Sequence, residues 1–501
     1  MNERPRLGPL ARGAVLALAL APRLWAAFAD QGLFWPDEFF QSLEQAHRFA
    51  FGYGIVPWEF AEGARSWLFP GLIGLFWKFL SALGVKSAVT LVVAAKLAMV
   101  AASVVTAELA MRLALQMAGP RAAILAGTWV ALFPATVLFG SKCMTETVSA
   151  PLLLAGALLS HRSASDRDAV SWRRLATAGA LAGVAVFFRY QNGLVVVGLA
   201  GVLLAERRFR DAGAFAAGAA VAGLAGGALD YATWGRPFHS FVQYARFHAE
   251  TGGASWGALP FGYYWQTTWR SGGVVMLVVL AGLALAWRSW GRYVALVGVY
   301  FLVHSAVPHK EYRYLLPPVP LALTVAAAGL SMALPECAAW LTGRWPSLAR
   351  RPVATALAVA LVVLSVAGFG ERAAFMTFGD LGHEDGLAAG LAFDNDSPWH
   401  AAEGINRLLW AAGAADDTCG VVLKDIPWSS TGGFAYLHRD VPLLFAFSPR
   451  NLRSANVLIA RREFQQPKDY REGPESRGFM LFRRDGPCEP PPHEYTRIVP
   501  P

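Results

Sequence analysis

Two short segments concentrate the residues that could do chemistry. The first is FWPDEFFQSLEQAHRF, residues 34–49. Pro36 suits the first turn of a helix, and the acids behind it suit a helix N-terminus. On a helix Asp37, Gln41, Glu44 and Arg48 share one face, while Phe39, Leu43, Ala46 and Ala50 take the opposite one. The spacing therefore predicts an amphipathic helix lying on a membrane with its carboxylates presented outward. A carboxylate so placed could take a proton from a hydroxyl nucleophile. The competing reading is an anchoring helix with a solvated polar face.

The second segment is HKEYRYLLPPVP, residues 309–320. His309, Lys310, Glu311 and Arg313 sit between two apolar stretches. Ionisable groups at a membrane boundary are costly unless they pair or serve a site. Lys310 and Arg313 could bind a phosphate, Arg through its planar fork. The competing reading is a salt-bridge knot fixing two helix ends. Arg189 in FFRYQNG ends an apolar stretch and could bind phosphate or snorkel to the interface. Glu146 in SKCMTE could line a cavity or cap a helix. His239, His248 and Glu250 match no metal-ligand spacing. No phosphate-binding loop, dinucleotide turn or nucleophile elbow occurs, so nucleotide hydrolysis and serine-hydrolase chemistry lack support.

The elements that position these residues are membrane helices. The 501 residues are 55% hydrophobic and only 16% charged, against about a quarter charged in a soluble domain. Apolar stretches fall at 10–29, 66–83, 87–112, 122–140, 144–160, 174–190, 193–206, 211–232, 272–288, 293–308, 314–334 and 353–370. The chain reads as an all-α polytopic membrane protein. Basic clusters at Arg4–Arg12, Arg162–Arg174, Arg207–Arg210, Arg288–Arg292 and Arg344–Arg351 must share the inner face. Parity then requires one stretch not to cross. The stretch 66–83 is short and holds Pro70 and Lys78, so it is expected to lie in the outer interface or re-enter. That leaves about eleven spans, N-terminus inside and C-terminus outside. The outer segments become 30–65, 141–146, 189–193, 233–271, 309–313 and the tail. The first of these holds Asp30, Asp37, Glu38, Glu44, Glu59 and Glu62 against only Arg48 and Arg65.

Charge divides the chain. Residues 1–370 hold 30 Lys and Arg against 17 Asp and Glu, and residues 371–501 hold 14 against 18. Two domains are expected, 1–370 in the membrane and 371–501 outside it. In the tail CGVVLK, VPLLFAF, ANVLIA and GFMLFRR read as strands and 400–413 as a helix, giving a small α+β domain. CEPPPHEY is a proline-rich end. Four cysteines are too few for a disulfide scaffold, but Cys419 and Cys488 flank this domain and are expected to pair in an oxidising compartment. Nothing suggests nucleic acid as a partner.

The two polar segments, in this order and this membrane context, resemble the GT22 family of GT-C glycosyltransferases, which use dolichol- or polyprenyl-phosphate mannose. The family's first outer loop reads HPDE-FQ-x-x-E, then TWEW, then RS. Here Trp35 replaces the histidine and PWEF replaces TWEW, while Asp37, Glu38, Gln41, Glu44, Trp58, Glu59, Arg65 and Ser66 match. The family's HKEERF becomes HKEYRY, so His309, Lys310, Glu311 and Arg313 match. The resemblance covers roughly residues 10–335. It implies inverting transfer of a sugar, mannose by analogy, from a polyprenyl-phosphate donor to a lipid-linked or glycan acceptor at the outer face. Asp37 would be the base, with Glu38 its competitor. His309, Lys310, Arg313 and Arg189 would hold the donor phosphate, with Glu311 orienting them. Gln41, Glu44, Trp58, Glu59 and Arg65 would orient acceptor or sugar. No cofactor and no metal ligand is assigned. The Ala-, Arg- and Gly-rich composition points to a bacterial inner membrane. The alternative class is a transporter or flippase of lipid-linked intermediates, which would place its polar residues near the membrane midplane.

Overall fold

The computed structural model describes residues 6–33, 35–162, 170–251, 257–345, 347, 349–382, 397–491 and 498–499. Arg4 and the second half of CEPPPHEY, residues 492–495, lie outside the described residues. Among those described, six helices are long and apolar enough to cross a membrane: Pro9–Ala29, Ala88–Ala118, Phe209–Trp234, Val275–Ala306, Val319–Arg344 and Arg350–Ala374. Thr145–Ser160, Trp172–Phe188 and Gly193–Ala205 are shorter helices between them. Leu68–Ala82, in the stretch expected not to cross, has 15 residues. At 1.5 Å per residue it is about 22 Å long, less than the roughly 30 Å of hydrocarbon.

Prolines start many of these helices. Pro9, Pro120 and Pro134 each occupy the first turn, where the missing N–H costs nothing. Pro134 also breaks the stretch 122–140. Pro120–Leu132 and Pro134–Ser141 meet at 63°. A break inside an apolar bundle strips carbonyls of their helical partners. Arg23, fully buried, supplies donors to them: its guanidinium reaches Ala131 O at 2.7 Å, Thr136 O at 2.9 Å and Val130 O at 3.2 Å.

Val275–Ala306 covers both stretches 272–288 and 293–308. Trp290, at φ −131° and ψ 30°, interrupts the helix between them. Ser271 Oγ lies 2.5 Å from Tyr312 Oη, so the element begins and ends at one end of the bundle. Near its break, Tyr293 reaches His161 at the far end of the helix Thr145–Ser160. Trp172–Phe188 and Phe209–Trp234 pack at backbone contact through glycine. A Cβ on Gly179 would stand 1.8 Å from Phe215 O, and one on Gly218 1.9 Å from Ala176 O. Small residues are what allow helices to approach so closely.

Described residues of the six segments that parity placed on one side meet at one end, as Asp37 with Arg313, Glu146 with Arg189, Arg65 with Trp234 and Leu33 with Ala401. Three of the basic clusters meet at the other: Arg174 donates to His161 O, Arg208 to Ser160 O, and Arg292 pairs with Glu206.

The tail forms a mixed sheet. Its strands are β2 (Val421–Leu423), β3 (Leu443–Leu444), β4 (Val457–Arg461), β5 (Arg471–Ser476) and β6 (Phe479–Arg483), in the order β3-β2-β4-β6-β5. The four strands read from the sequence are present, and the helix Glu403–Ala414 packs on the sheet. The exposed, charged β5 carries no apolar alternation and escaped that reading. Cys419 and Cys488 are joined by a disulfide, with Cα atoms 6.0 Å apart.

This sheet domain does not hang free of the membrane part. Leu33 N donates to Ala401 O at 2.6 Å, Asn406 Nδ2 to Gln31 O at 2.9 Å, and Tyr436 Oη to Gln31 Oε1 at 2.8 Å. Val56–Pro57, as β1, pairs in parallel with Ile498–Val499, as β7. One apolar cluster runs from Phe39, Phe40 and Trp77 to Ile405, Phe434 and Ile459.

The segment 30–65 departs from the expected single amphipathic helix. Pro36–Glu38 and Glu44–Phe51 are α-helical, but Phe39–Leu43 between them is a π-helical turn. Gly52, at φ +89°, ends the run in the left-handed conformation that glycine adopts without strain. The polar face is not solvated. Glu38, Glu44, Gln45 and His47 are fully buried because the tail domain and the segment 139–144 cover them.

Candidate active site

Asp37 stands at the start of this loop helix with its side chain one quarter exposed. It is held by Arg313 Nη2, which donates to Asp37 Oδ2. Arg313 lies in the short 3-10 turn Tyr312–Leu315, between two bundle helices. Its Nε donates to Glu311 Oε2 at 2.5 Å and lies 3.7 Å from Glu146 Oε1. The guanidinium sits 5.1 Å from the ring centre of Trp35, the residue that replaces the family's histidine. Such stacking favours Arg over Lys.

Glu146 is the second centre. Set in the first turn of Thr145–Ser160, it accepts from Arg189 Nη1 at 2.6 Å. Arg189 in turn lies 4.2 Å from the ring centre of Tyr314. Glu311 accepts further bonds from His309 Nε2, at 2.9 Å, and from Tyr314 Oη. The result is one buried ionic network across four segments distant in sequence: Asp37, Glu146, Arg189 and the 309–314 turn. Burial works to lower the Arg313 and Arg189 pKa values, but the adjoining carboxylates hold both above the usual guanidinium range. Burial likewise pushes Glu311 up, and Arg313 and His309 outweigh it, so Glu311 stays well below the usual carboxylate range.

The remaining sequence candidates divide. Gln41 Nε2 donates to Glu59 Oε1 at 2.7 Å, on the Asp37 side of the loop. Burial raises the Glu59 pKa, opposed by the Arg65 charge. Trp58 packs on Phe247 at 4.3 Å between ring centres. Arg65 lies over Tyr244 at 5.6 Å. Lys310 turns away from the network: its Nζ donates to the carbonyls of Leu259, Val307 and Pro308. Its expected contact with a phosphate therefore has no free donor in this arrangement.

Glu38 and Glu44 do not present carboxylates outward, which corrects the expectation for both. Glu38 points into the protein, accepts from Cys143 N at 3.0 Å and lies 3.9 Å from Lys142 Nζ. Lys142 donates to Asp30 Oδ2 at 2.6 Å, and Lys96 Nζ donates to Asp30 O. Two carboxylates and two ammoniums thus form a closed buried cluster beneath the Asp37 helix. Burial raises the Glu38 pKa, while Lys142 and Lys96 oppose it. Glu44 accepts from Ile55 N at 2.7 Å and Ala435 N at 2.9 Å, so it fastens the loop to the tail domain. Burial pushes its pKa up to about 7. Nearby, His47 Nε2 and His438 Nδ1 are 2.9 Å apart across the same interface.

Glu146, expected either to line a cavity or to cap a helix, joins the network, and Lys142 is not among the residues the sequence pattern singles out. The signal for both was their charge inside an otherwise apolar stretch. Among the described residues no group of three His, Cys, Asp or Glu is arranged to hold a metal ion.

Residues 14–378 match the model of the Alg9-like mannosyltransferase family. The chain is 26% identical over 442 residues to GPI mannosyltransferase 3 of Yarrowia lipolytica, covering 86% of this chain and 76% of that protein. It is 47% identical to GPI mannosyltransferase 3 of Drosophila melanogaster over 79 residues, which is 16% of this chain and 14% of that one. In structure it resembles ArnT from Cupriavidus metallidurans bound to undecaprenyl phosphate. That match has a TM-score of 0.60 and 14% identity, and covers 95% of this chain and 99% of ArnT. The Archaeoglobus fulgidus oligosaccharyltransferase is a further neighbour, with a TM-score of 0.50 and 12% identity, covering 90% of this chain and 69% of that one. Its GT-C-type fold, its apolar helices and the family match over most of its length agree: this chain belongs to the Alg9-like mannosyltransferase family and is a multi-pass membrane mannosyltransferase.

Proposed function

We propose that the enzyme transfers mannose, with inversion, from a polyprenyl-phosphate donor to a hydroxyl of a lipid-linked or glycan acceptor on the outer face of the membrane. The observation that carries this reading is the pairing of Asp37, a partly exposed carboxylate on the first outer loop, with Arg313 in the network of Arg189, Glu146 and Glu311. A base and a set of cations thus stand side by side, as a displacement at the anomeric carbon needs. The acceptor oxygen attacks the anomeric carbon and Asp37 takes its proton. The bond from that carbon to the phosphate oxygen breaks, and polyprenyl phosphate leaves with the electron pair. The cations stabilise the charge that develops on the leaving oxygen. Gln41, Glu59 and Trp58, beside Asp37, orient the acceptor.

The outward placement is supported by the disulfide Cys419–Cys488 in the domain that covers the site, since such bonds persist in oxidising compartments. The bacterial inner membrane is the setting in which a polyprenyl rather than a dolichol donor is expected. The convergence of charged residues at one end of the bundle favours a transferase over a carrier with its site at the midplane.

The test is transfer of radiolabel from synthetic polyprenyl-phosphate mannose in membranes expressing the protein. Label should enter a lipid or glycan fraction, and the Asp37→Asn variant should abolish it. Incorporation only from a sugar nucleotide, or equal incorporation by the variant, would overturn the proposal.

A further inference from the structure

The cations nearest Asp37 are already neutralised. Arg313 and Arg189 face three carboxylates, those of Asp37, Glu311 and Glu146. Two positive charges against three negative ones leave a net of −1, so an arriving phosphate needs a further cation beside this network. Lys310 spends its ammonium on backbone carbonyls.

Arg65 differs. Among the described residues its side chain makes no ion pair within 4 Å, although Glu59 feels its charge, and its Nε is shut off from solvent without a hydrogen-bond partner. A polar group so left is costly unless something arrives to satisfy it. The residue is held in place by other means. Its carbonyl accepts from Trp234 Nε1 at 3.2 Å, and its guanidinium lies over the Tyr244 ring. Tyr244 ties it to the segment that carries Arg189, because Gln191 Nε2 donates to Tyr244 Oη.

An apolar cavity adjoins this position. Tyr244 packs on Tyr190 at 5.1 Å between ring centres. Tyr190 lines a cavity of about 220 Å³ with Gly183, Phe187, Ala219, Gly223 and Phe241. It lies between the helices Trp172–Phe188 and Phe209–Trp234, whose small residues leave room there. A guanidinium with a buried, unpartnered Nε therefore stands two aromatic rings, Tyr244 and Tyr190, from an apolar slot in the membrane part. That is the chemistry of a phosphate carried on a hydrocarbon chain.

We propose that Arg65 anchors the phosphate of the lipid-linked donor, whose isoprenoid chain enters the cavity beside Tyr190. Arg65 was expected to orient acceptor or sugar, and this assignment replaces that role. It rests on the polyprenyl-phosphate donor of the preceding subsection. A bulk phospholipid headgroup offers the same chemistry, so the experiment must separate the two.

The full-length protein in nanodiscs is titrated with undecaprenyl phosphate and with undecaprenol, followed by tryptophan fluorescence. The wild type should bind the phosphate form at least about tenfold more tightly. Arg65→Gln should lose about 10–100-fold in affinity for undecaprenyl phosphate and leave undecaprenol binding unchanged, as expected when a charge-assisted bond is removed. Arg65→Lys, which keeps charge and folds under the same constraints, should fall between. Gly223→Trp, which fills the cavity, should weaken both ligands together. Wild-type affinity of Arg65→Gln and Arg65→Lys for undecaprenyl phosphate would overturn the assignment. Equal displacement of undecaprenyl phosphate by phosphatidylglycerol would also overturn it, as the mark of general headgroup contact. Failure of the wild type to prefer the phosphate form would instead overturn the donor reading itself.

Discussion

Asp37 and Glu38 are neighbours in sequence, and their substitutions should fail in opposite ways. Asp37→Asn removes the base but leaves the architecture. Asp37 is one quarter exposed, and Arg313 keeps Glu311 at 2.5 Å and Glu146 at 3.7 Å. Folding and donor binding should therefore stay close to wild type. Turnover should fall by about 10²–10⁴-fold, the usual worth of a general base. That is about 2.7–5.4 kcal/mol of transition-state stabilisation. Glu38→Gln acts on stability instead. The buried cluster balances Asp30 and Glu38 against Lys96 and Lys142, all at 1% exposure or less. Losing one carboxylate leaves a net buried charge of +1, and removing one partner of a buried pair costs about 3–5 kcal/mol. The assay pairs thermal unfolding in detergent with the radiolabel transfer, on both variants. If Asp37→Asn kept turnover within about threefold of wild type, a step worth under 1 kcal/mol, Asp37 would not be the base. If Glu38→Gln unfolded as the wild type does and was inactive, the role would pass to Glu38.

Three other outcomes follow from the packing. Burial raises the Glu44 pKa from 4.5 to about 7, so the folded protein holds this proton more tightly than the unfolded chain; the associated stability is complete below pH 4.5 and lost as pH rises through about 7. The difference in unfolding midpoint between wild type and Glu44→Gln should therefore change over that window, and a constant difference from pH 4.5 to 8 would refute it. Reducing the Cys419–Cys488 bond should destabilise the tail domain by about 2–4 kcal/mol, and alkylation of both cysteines without prior reduction, read by mass spectrometry, would contradict the bond. Gly179→Val sets a side chain where only 1.8 Å is available to Phe215 O, so it should cost more than the about 1–3 kcal/mol of an ordinary overpacked core; wild-type unfolding of the purified variant would show that these helices can part.

The sequence by itself determined the membrane class, because the hydrophobic effect makes apolar stretches of spanning length legible without any partner. That the polar segments gather at one end is also legible there, since parity and basic clusters constrain the whole chain at once. The tail strands 421–423 and 457–461 were readable as apolar runs, while β5 was not, because an exposed edge strand needs no apolar residue. The roles of individual carboxylates were decided only by tertiary structure. Asp37, Glu38 and Glu44 look alike along the helix they were expected to share. What separates them is what covers each one: Arg313 from 276 residues away, Lys142 in the 139–144 segment, and the backbone of Ala435 in the tail. Helical periodicity records which residues share a face, but not whether that face meets water or another part of the chain. The same holds for the cations. Arg65, Arg189, Lys310 and Arg313 are equivalent as charges in a sequence. Their partners set them apart, and partners are brought together by packing between segments far apart in the chain.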